Sequence, residues 1–234
     1  LRAVTLHPAM LLYLDQARSV GPGSQQGQRR DVGLNENLAR EMMELHTLGA
    51  GGSYRQADVR EAAELLTGLT ATPAEGFLFD PAMAEPGPET VLGQVYDGEG
   101  LAPIDALLDD LALHPETARH LARKLVVHFV ADAPDEAMIG VMAAAYLDAD
   151  GGLLAMYEAM LGHPGSWVPD LQKARQPYDF IVTALRALDV PPDRSAGMGR
   201  KAVRRVVTLP MRSMGQDWGK PGGPDGWEEA AEAW

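Results

Sequence analysis

The sequence predicts an all-α fold, with about seven helices in a single domain over residues 1–234, a long irregular loop and an irregular C-terminal segment. Two observations predict this class. Apolar residues recur three and four positions apart in most segments, which is the period of a helix that buries one face. Pro, Asn and Gly stand where such helices would begin and end. A chain of 234 residues that is 46% hydrophobic is also long enough to bury a sizeable core.

The N-terminal fifty residues are predicted to contain two helices. Pro8 opens the first, in "HPAMLLYLDQA", and the Gly-, Ser- and Gln-rich residues 19–33 are predicted to form an exposed loop. The second helix covers residues 35–48, with Asn35 as its cap and Gly49 at its end. Its apolar stripe at helical spacing is predicted to be Leu38, Met42, Leu45 and Leu48.

The next helix is predicted in "GGSYRQADVREAAELLTG", where Ser53 and Gln56 have the spacing of a capping box and Gly68 follows the last turn. Further helices are predicted in "PIDALLDDLAL", "PETARHLARKLVVHFV", "PDEAMIGVMAAAYLD", "GLLAMYEAML" and "PYDFIVTALRAL". The motifs "LHPAM", "LHPET" and "GHPGS" each place His before Pro at a helix start. We interpret these His residues as helix caps, because an imidazole nitrogen can accept a hydrogen bond from the first turn.

Two regions lack helical periodicity. In residues 70–102 the segments "FLFD" and "TVLGQVY" have strand-like composition, but Pro, Gly and Glu separate them. We expect a long ordered loop with at most one β-ribbon there. Residues 190–234 are rich in Gly, Pro and Trp and are expected to form packed irregular chain.

Net charge narrows the class of partner. The formal charge is −13 and the isoelectric point is about 4.8, so the chain as a whole repels phosphate, which disfavours nucleic acid and anionic membranes. An apolar run long enough for a transmembrane helix is absent from the sequence. The chain has no Cys, which excludes disulfides, thiolate zinc sites and thiol catalysis.

The main candidate site lies on the predicted helix 35–48. Asn37, Glu41 and Glu44 recur at i, i+4 and i+7 and share a stripe, and Arg40 stands four residues before Glu44. Three interpretations remain open: a solvated helix edge, a buried polar network that joins helices, or a ligand site built on the two carboxylates. His46 points to another side of the helix, so "ELH" is not a metal pair by itself.

A second set of candidates is basic. His120, Lys124 and His128 recur at i, i+4 and i+8, and the ammonium between the two imidazoles would repel a metal cation. This helix could pair with the carboxylates of helix 35–48 or with an anionic ligand. Lys173 and Arg175 precede the helix that Pro177 opens, and two interpretations stay open for them: basic residues in a loop, or cations that neutralise carboxylates elsewhere in the fold. "LDADGGL" lacks the bidentate acid of a calcium loop and is predicted to be a turn between helices. We predict no metal and no cofactor.

Four blocks, in this order, resemble the bacterial DUF1800 family: "NENLAREMMELHTLGAGGSYRQADVREAAELLTG", "LARKLVVHFV", "KARQPYDFIVTALRAL" and "MGQDWGKPGGPDGW". The first block is specific, and the match runs over most of the chain. Its polar positions that resemble the family motif are Asn35, Asn37, Arg40, Glu41, Glu44, His46 and Thr47. This resemblance adds weight to a buried network or site on that helix.

The resemblance implies a mostly helical bacterial protein. Many family members carry an export signal and are encoded near members of a second uncharacterised family. Family members are longer, so the 234 residues are expected to be part of a longer chain. The resemblance implies no activity. This sequence also departs from the family pattern at three positions. Leu69 stands where the family has a Trp, and Arg55 stands where it has a Thr or Ser. Ala84 stands where the family has a His before an acidic residue, which here is Glu85. These departures weigh against an enzyme that would use the loop His.

Two functional hypotheses follow. The leading hypothesis is a non-enzymatic binding or assembly protein whose partner is another protein or a cell-envelope component. The alternative is a hydrolase with Glu41 or Glu44 as base, assisted by Arg40, His46 or His128. An enzyme requires a cleft where these groups converge, and a binding protein requires an exposed apolar surface. The sequence leaves the compartment and the oligomeric state open, with a periplasmic or exported location implied by the resemblance alone.

Overall fold

Helices dominate the computed structural model of the chain, which describes residues 1–29, 33–72, 74–170, 173–223, 226–228 and 233. The protein is about 53% helical, and its described residues include two small antiparallel sheets of two strands. A mostly helical fold is therefore confirmed, whereas the purely all-α class is wrong. The chain divides into two compact units: unit 1 comprises Leu1–Leu121 and Met142–Met156, and unit 2 comprises Ala122–Val141 and Tyr157–Trp234. That the 234 residues form one domain stays a prediction.

Unit 1 begins with short helices: α1 (Arg2–Thr5), α2 (Pro8–Tyr13) and a 3₁₀ turn at Gln16–Arg18. Within the predicted helix 35–48, α3 (Asn37–Glu41) continues directly into a π-helical segment, Met42–His46. The helix is confirmed, but from Met42 onward each turn contains more residues than in an α-helix.

The π-helical segment has a local cause. The Thr47 hydroxyl donates to the carbonyl of Met42 over 2.7 Å, and the Gly49 N–H donates to the carbonyl of Met43 over 3.1 Å. Gly49 has a φ of 91°, a conformation that favours glycine and ends the helix. The wider turn moves Met43 into the core and leaves Leu45 half-buried, so the predicted stripe is wrong at Leu45.

Helix α4 (Gln56–Leu65) confirms the next prediction, but its start differs. The Arg55 N–H donates to the carboxylate of Asp58 over 2.7 Å, and the Ser53 N–H donates to Glu116 over 2.9 Å. The predicted capping box of Ser53 and Gln56 is therefore wrong, because a later acid satisfies the first free N–H group.

Residues 70–102 hold more regular structure than predicted. Strand β1 (Leu69–Thr72) pairs antiparallel with β2 (Gly76–Phe79), and β3 (Glu89–Val91) pairs antiparallel with β4 (Gln94–Tyr96). Both strand-like segments thus form ribbons, and the expectation of a long loop with at most one ribbon is wrong. The second turn has positive φ at two successive residues, Leu92 and Gly93, as in a type I′ hairpin turn. Leu at the first of these positions hid the turn from sequence analysis.

Four longer helices follow, and all were predicted: α5 (Ala102–Ala112), α6 (Pro115–Phe129), α7 (Glu136–Asp148) and α8 (Leu153–Gly162). Between α7 and α8 the chain turns through Asp150 and Gly151, which have φ values of 51° and 79°. The interpretation of "LDADGGL" as a turn between helices is confirmed.

Unit 2 contains the rest of the chain. Its elements after α8 are a 3₁₀ turn (Pro164–Trp167), α9 (Pro177–Ala187), α10 (Pro192–Ala196), α11 (Arg200–Val203), a π-helical segment (Arg204–Thr208) and α12 (Leu209–Ser213). The expected irregular tail is therefore wrong over residues 192–213. Pro210 lies at the start of α12, where its missing N–H is tolerated. The remainder of that prediction falls partly on residues 224–225, 229–232 and 234, outside the described residues.

The core of unit 1 joins the first helices, α4, the ribbons and α5. Val59, Ala62 and Ala63 of α4 are buried, and α4 packs against β3 and α3. The largest fully buried side chains of this core are Leu11, Leu38, Met42, Met43, Leu66, Leu69, Ile104, Leu107, Leu108 and Leu111. This core fixes α4 and the β3–β4 ribbon side by side.

The three His-Pro motifs are confirmed as helix caps. Nδ1 of His7, His114 and His163 accepts from the backbone N–H two residues later, over 3.1, 3.2 and 3.1 Å respectively. Each imidazole therefore satisfies one N–H group that the first turn leaves free.

Replacing the cap at the start of α6 gives a first testable prediction. We expect His114→Ala to lower the free energy of unfolding by about 0.5–2 kcal/mol, because the Glu116 N–H loses its acceptor. His114→Asn is the matched control, since an Asn side chain can accept the same hydrogen bond. Equal losses for the two variants in urea denaturation would argue that the imidazole acts by packing alone.

Candidate functional site

Asn35 ties the start of α3 to the preceding chain. Its side-chain oxygen accepts from the Asn37 N–H over 2.8 Å, and its side-chain nitrogen donates to the carbonyl of Leu14 over 3.3 Å. Its own backbone N–H donates to the hydroxyl of Ser19 over 3.0 Å. Asn35 thus accepts from the first N–H group of α3, but the cap position itself is Glu36, one residue later than predicted, and Asn37 is exposed.

Arg40 stands at the centre of a polar network between α3 and the start of α4. Its guanidinium lies 3.1 Å from the carboxylate of Glu36 and 3.4 Å from that of Glu44. It also donates to Gln56 over 2.9 Å, and Gln56 in turn donates to Glu36 over 2.8 Å. These four side chains join the two helices through a closed set of hydrogen bonds.

The network is half-exposed. The side chains of Arg40, Glu36 and Glu44 are 38%, 32% and 30% exposed, so solvent screens each ion pair. Glu44 also lies against Tyr54, whose pKa is raised by burial and by that carboxylate. Glu41 is half-buried as well. The geometry matches the linking of helices that the second interpretation predicted, but the network is half-exposed and not buried as that interpretation required.

His46 comes from the end of the π-helical segment. It lies in the wall of an open cleft of about 710 Å³, together with Thr47, Asp109, Thr117 and Tyr146. The Tyr146 hydroxyl donates to the carbonyl of Ala112 over 2.9 Å, and burial raises its pKa. The acids and the His proposed for catalysis therefore have different surroundings.

His128 and Lys173, by contrast, are brought together in unit 2. Both line an open cleft of about 520 Å³, together with the exposed Arg175 and Arg186 and with Asp179. The Lys173 ammonium lies 2.6 Å from Asp132, with side-chain exposures of 15% and 23%. Of the two interpretations left open for Lys173, the ion pair matches neutralisation of a carboxylate, and the cleft keeps a basic wall.

Phe129 also lines a second, apolar groove. This groove of about 470 Å³ is formed by the end of α6, by α8 and by the 3₁₀ turn, and its walls are Phe129, Val130, Tyr157, Met160, Leu161, Ser166 and Trp167. Phe129, Leu161 and Trp167 are 60%, 54% and 69% exposed, whereas Met160 is buried. The Trp167 indole N–H donates to the carbonyl of Leu161 over 2.7 Å, which fixes the ring with a face open to solvent.

Sequence analysis missed a cluster of three carboxylates in unit 1. Ligand oxygens of Glu61, Glu64 and Glu89 lie within 4.8 Å of one another, and among the described residues this is the group whose spacing would suit a metal ion. Hard cations such as Ca²⁺ and Mg²⁺ take carboxylate oxygens. Glu61 and Glu64 come from α4, and Glu89 comes from β3. The i, i+3 spacing on α4 was visible, but the partner lies twenty-five residues later, in a strand that was predicted as loop.

Glu89 is the unusual member of the cluster. It is only 7% exposed, and burial, a hydrogen bond with Glu61 and the charges of Glu64, Glu61 and Glu85 raise its pKa to about 8. A carboxyl group with this pKa holds a proton at neutral pH and can donate it. Its neighbour Glu61 accepts from the Thr90 N–H over 2.8 Å, and Glu64 pairs with Arg60 over 3.1 Å.

An open cleft of about 730 Å³ adjoins this carboxyl. Its walls include Glu85, Glu89 and Glu99 with Phe79 and Ala84. The Glu85 carboxylate accepts from the Gly23 N–H over 2.7 Å, which leaves Gly23 no room for a side chain. Ala84 and Glu85 are the positions where the family resemblance implies a His before an acid, so this departure falls in the wall of the cleft.

Taken together, these features define a mostly helical protein with half-exposed polar and apolar sites. Among the described residues, no helix is long and apolar enough to cross a membrane. The family described as "Protein of unknown function (DUF1800)" matches residues 1–234, the whole chain, and the protein belongs to this family. The resemblance seen in the sequence is thus confirmed. No curated protein and no solved structure matches the chain.

Proposed function

We propose that the protein is a non-enzymatic binding protein whose partner is another protein, in particular a segment that combines a bulky apolar side chain with acidic residues. The observation that carries this proposal is the position of Phe129, which lines both the apolar groove and the basic cleft. One extended segment could therefore fill both at once. A cell-envelope component with the same chemistry would fit the same surface.

The apolar groove supports binding because it is exposed and fixed. Contiguous exposed apolar surface on a protein marks an interaction site more often than isolated apolar residues do. Trp is enriched among the residues that dominate binding energies, and Trp167 is held by its indole hydrogen bond. The Ser166 hydroxyl donates to the carbonyl of Met160 over 2.6 Å and fixes the same turn. A surface that is already ordered loses little entropy on binding.

The basic cleft supports an acidic partner. Arg175 and Arg186 are exposed at its edge, and their guanidinium groups can each bind a carboxylate in a bidentate manner. Charges at the rim of an interface mainly select the partner and speed its association. The groove would thus supply affinity and the cleft would supply selectivity.

Selection of peptides from a random displayed library on the full chain tests this proposal. We expect the selected peptides to pair a bulky apolar residue with Asp or Glu. Trp167→Ala should weaken their binding at least about thirtyfold, the effect of losing roughly 2 kcal/mol. Arg186→Gln should weaken it less and mainly through the association rate.

Leu188→Ala is the matched control, because Leu188 is 75% exposed in the same unit but lies outside the groove. Its binding constants should equal those of the unchanged chain. Selected peptides that bind the Trp167→Ala variant with full affinity would contradict the proposal.

The hydrolase hypothesis remains the second candidate, and one observation favours a different location for it. Glu44 is held in the Arg40 network, whereas Glu89 has a raised pKa beside an open cleft. A hydrolytic activity that Glu41→Ala or Glu89→Gln abolishes in a folded variant, and that Trp167→Ala leaves intact, would replace the binding proposal.

A further inference from the structure

Positive charge is concentrated in one part of this acidic chain. Residues 173–220 contain ten Lys and Arg side chains against four Asp and Glu side chains, a net charge of +6. Since the whole chain carries −13, the remainder carries −19. The average charge that disfavours anionic partners therefore does not describe this region.

The concentration is sharpest on the helical run Arg200–Ser213. It carries Arg200, Lys201, Arg204, Arg205 and Arg212, and it contains no acidic residue. All five side chains are exposed. Asp217 lies 3.9 Å from Arg212, but no carboxylate among the described residues lies within ion-pair distance of the other four.

Apolar side chains are exposed on the same run. Val206 is 37% exposed and Leu209 is 42% exposed, while Met211 is buried and α12 packs against α9. Trp218, five residues after the run, is 59% exposed and contacts Tyr178 at 6.1 Å between ring centroids. The outer surface of the run thus presents cationic and apolar side chains together.

We propose that the helical run Arg200–Ser213 docks on an anionic phospholipid surface. Its basic side chains would contact the phosphate head groups, while Val206, Leu209 and Trp218 would enter the boundary between head groups and acyl chains. Four to eight Lys and Arg side chains on an amphipathic helix are the usual composition of such a surface. The interaction is local, because salt screens charges beyond about 8–10 Å and the distant acids of the chain then contribute little.

The exposed apolar side chains favour lipid over a soluble polyanion. Nucleic acid and acidic protein would use the same positive charge, but nucleic acid offers no apolar boundary for Val206 and Leu209. No residue of this run lines the apolar groove or the basic cleft of the proposed function. The two proposals can therefore fail independently.

The test is co-sedimentation of the full chain with vesicles. We expect binding to vesicles that contain phosphatidylglycerol, little binding to vesicles of phosphatidylcholine alone, and a decline with added salt. The double variant Arg204→Gln with Arg205→Gln should lower the partition coefficient about thirtyfold, from roughly 1 kcal/mol for each basic side chain. The double variant Val206→Ser with Leu209→Ser should also lower binding without changing the charge.

The matched control is Arg18→Gln with Arg29→Gln, an equal change of charge at two exposed arginines of unit 1. Its binding to vesicles should remain unchanged, and circular dichroism should show the same helix content in every variant. Equal losses for the control and the Arg204 and Arg205 variant would overturn the proposal. So would absence of binding to the anionic vesicles, or binding to polyglutamate or DNA that exceeds vesicle binding and depends on the same arginines.

Discussion

Met43→Ala is expected to lower the free energy of unfolding by about 2–5 kcal/mol, whereas Leu45→Ala is expected to lower it by roughly 1 kcal/mol or less. Met43 is fully buried, so its truncation leaves a cavity in the core of unit 1. Leu45 is half-buried and loses fewer contacts. Urea denaturation followed by circular dichroism measures both changes.

This pair of variants tests the π-helical segment directly. A regular α-helix over residues 35–48 would place Leu45 on the buried stripe with Leu38 and Met42, and the order of the two losses would then reverse. Thr47→Val is a useful companion, because it removes the hydroxyl that donates to Met42 while it keeps the volume of the side chain. A larger loss for Leu45→Ala than for Met43→Ala would show that the segment is α-helical in solution.

Glu89→Gln is expected to flatten the dependence of stability on pH. In the folded protein the pKa of Glu89 is about 8, above its ordinary value of 4.5, so the folded state holds a proton that the unfolded state releases between these values. The contribution of Glu89 to stability is present below pH 4.5 and is lost as pH rises through 8. At about 1.4 kcal/mol for each tenfold change in proton affinity, the loss reaches roughly 5 kcal/mol.

The free energy of unfolding should therefore be compared at pH 5, 7 and 8.5 for the unchanged chain and for Glu89→Gln. The amide mimics the protonated carboxyl and stays neutral, so the variant should be the more stable of the two at pH 8.5. Glu75→Gln, at an exposed glutamate, is the control. The same dependence on pH with and without Glu89 would show that its carboxyl is ionised in the folded protein.

The sequence predicted those parts of the fold that local signals determine. The period of Ile104, Leu107, Leu108 and Leu111 placed α5, and Pro after His placed three helix starts, because both patterns depend on neighbours within one or two turns. The β3–β4 ribbon was predicted as loop, since its turn uses Leu92 where Asn or Asp is usual. The helical run Arg200–Ser213 was missed because the Gly, Pro and Trp content of residues 190–234 was interpreted as irregular chain.

The candidate sites, too, differ in whether neighbours in the sequence or the packing of distant elements determines them. Arg40 and Glu44 are four residues apart, so their pairing was visible in the sequence. The meeting of Glu61 and Glu64 with Glu89 depends on how α4 packs against β3, and no local pattern encodes that contact. His128 and Lys173 were named separately, and only the fold of unit 2 places them in one cleft.

The attachment of the β3–β4 ribbon to α4 has a mechanical consequence. The Thr90 and Leu92 N–H groups, on the ribbon, donate to the side chains of Glu61 and Asp58 over 2.8 Å each. A two-stranded ribbon by itself is at best marginally stable in water. The β3–β4 ribbon is therefore stabilised by its hydrogen bonds to α4. Ribbon and helix must then open as one cooperative block, and any ligand that clamps the ribbon would also slow the melting of α4.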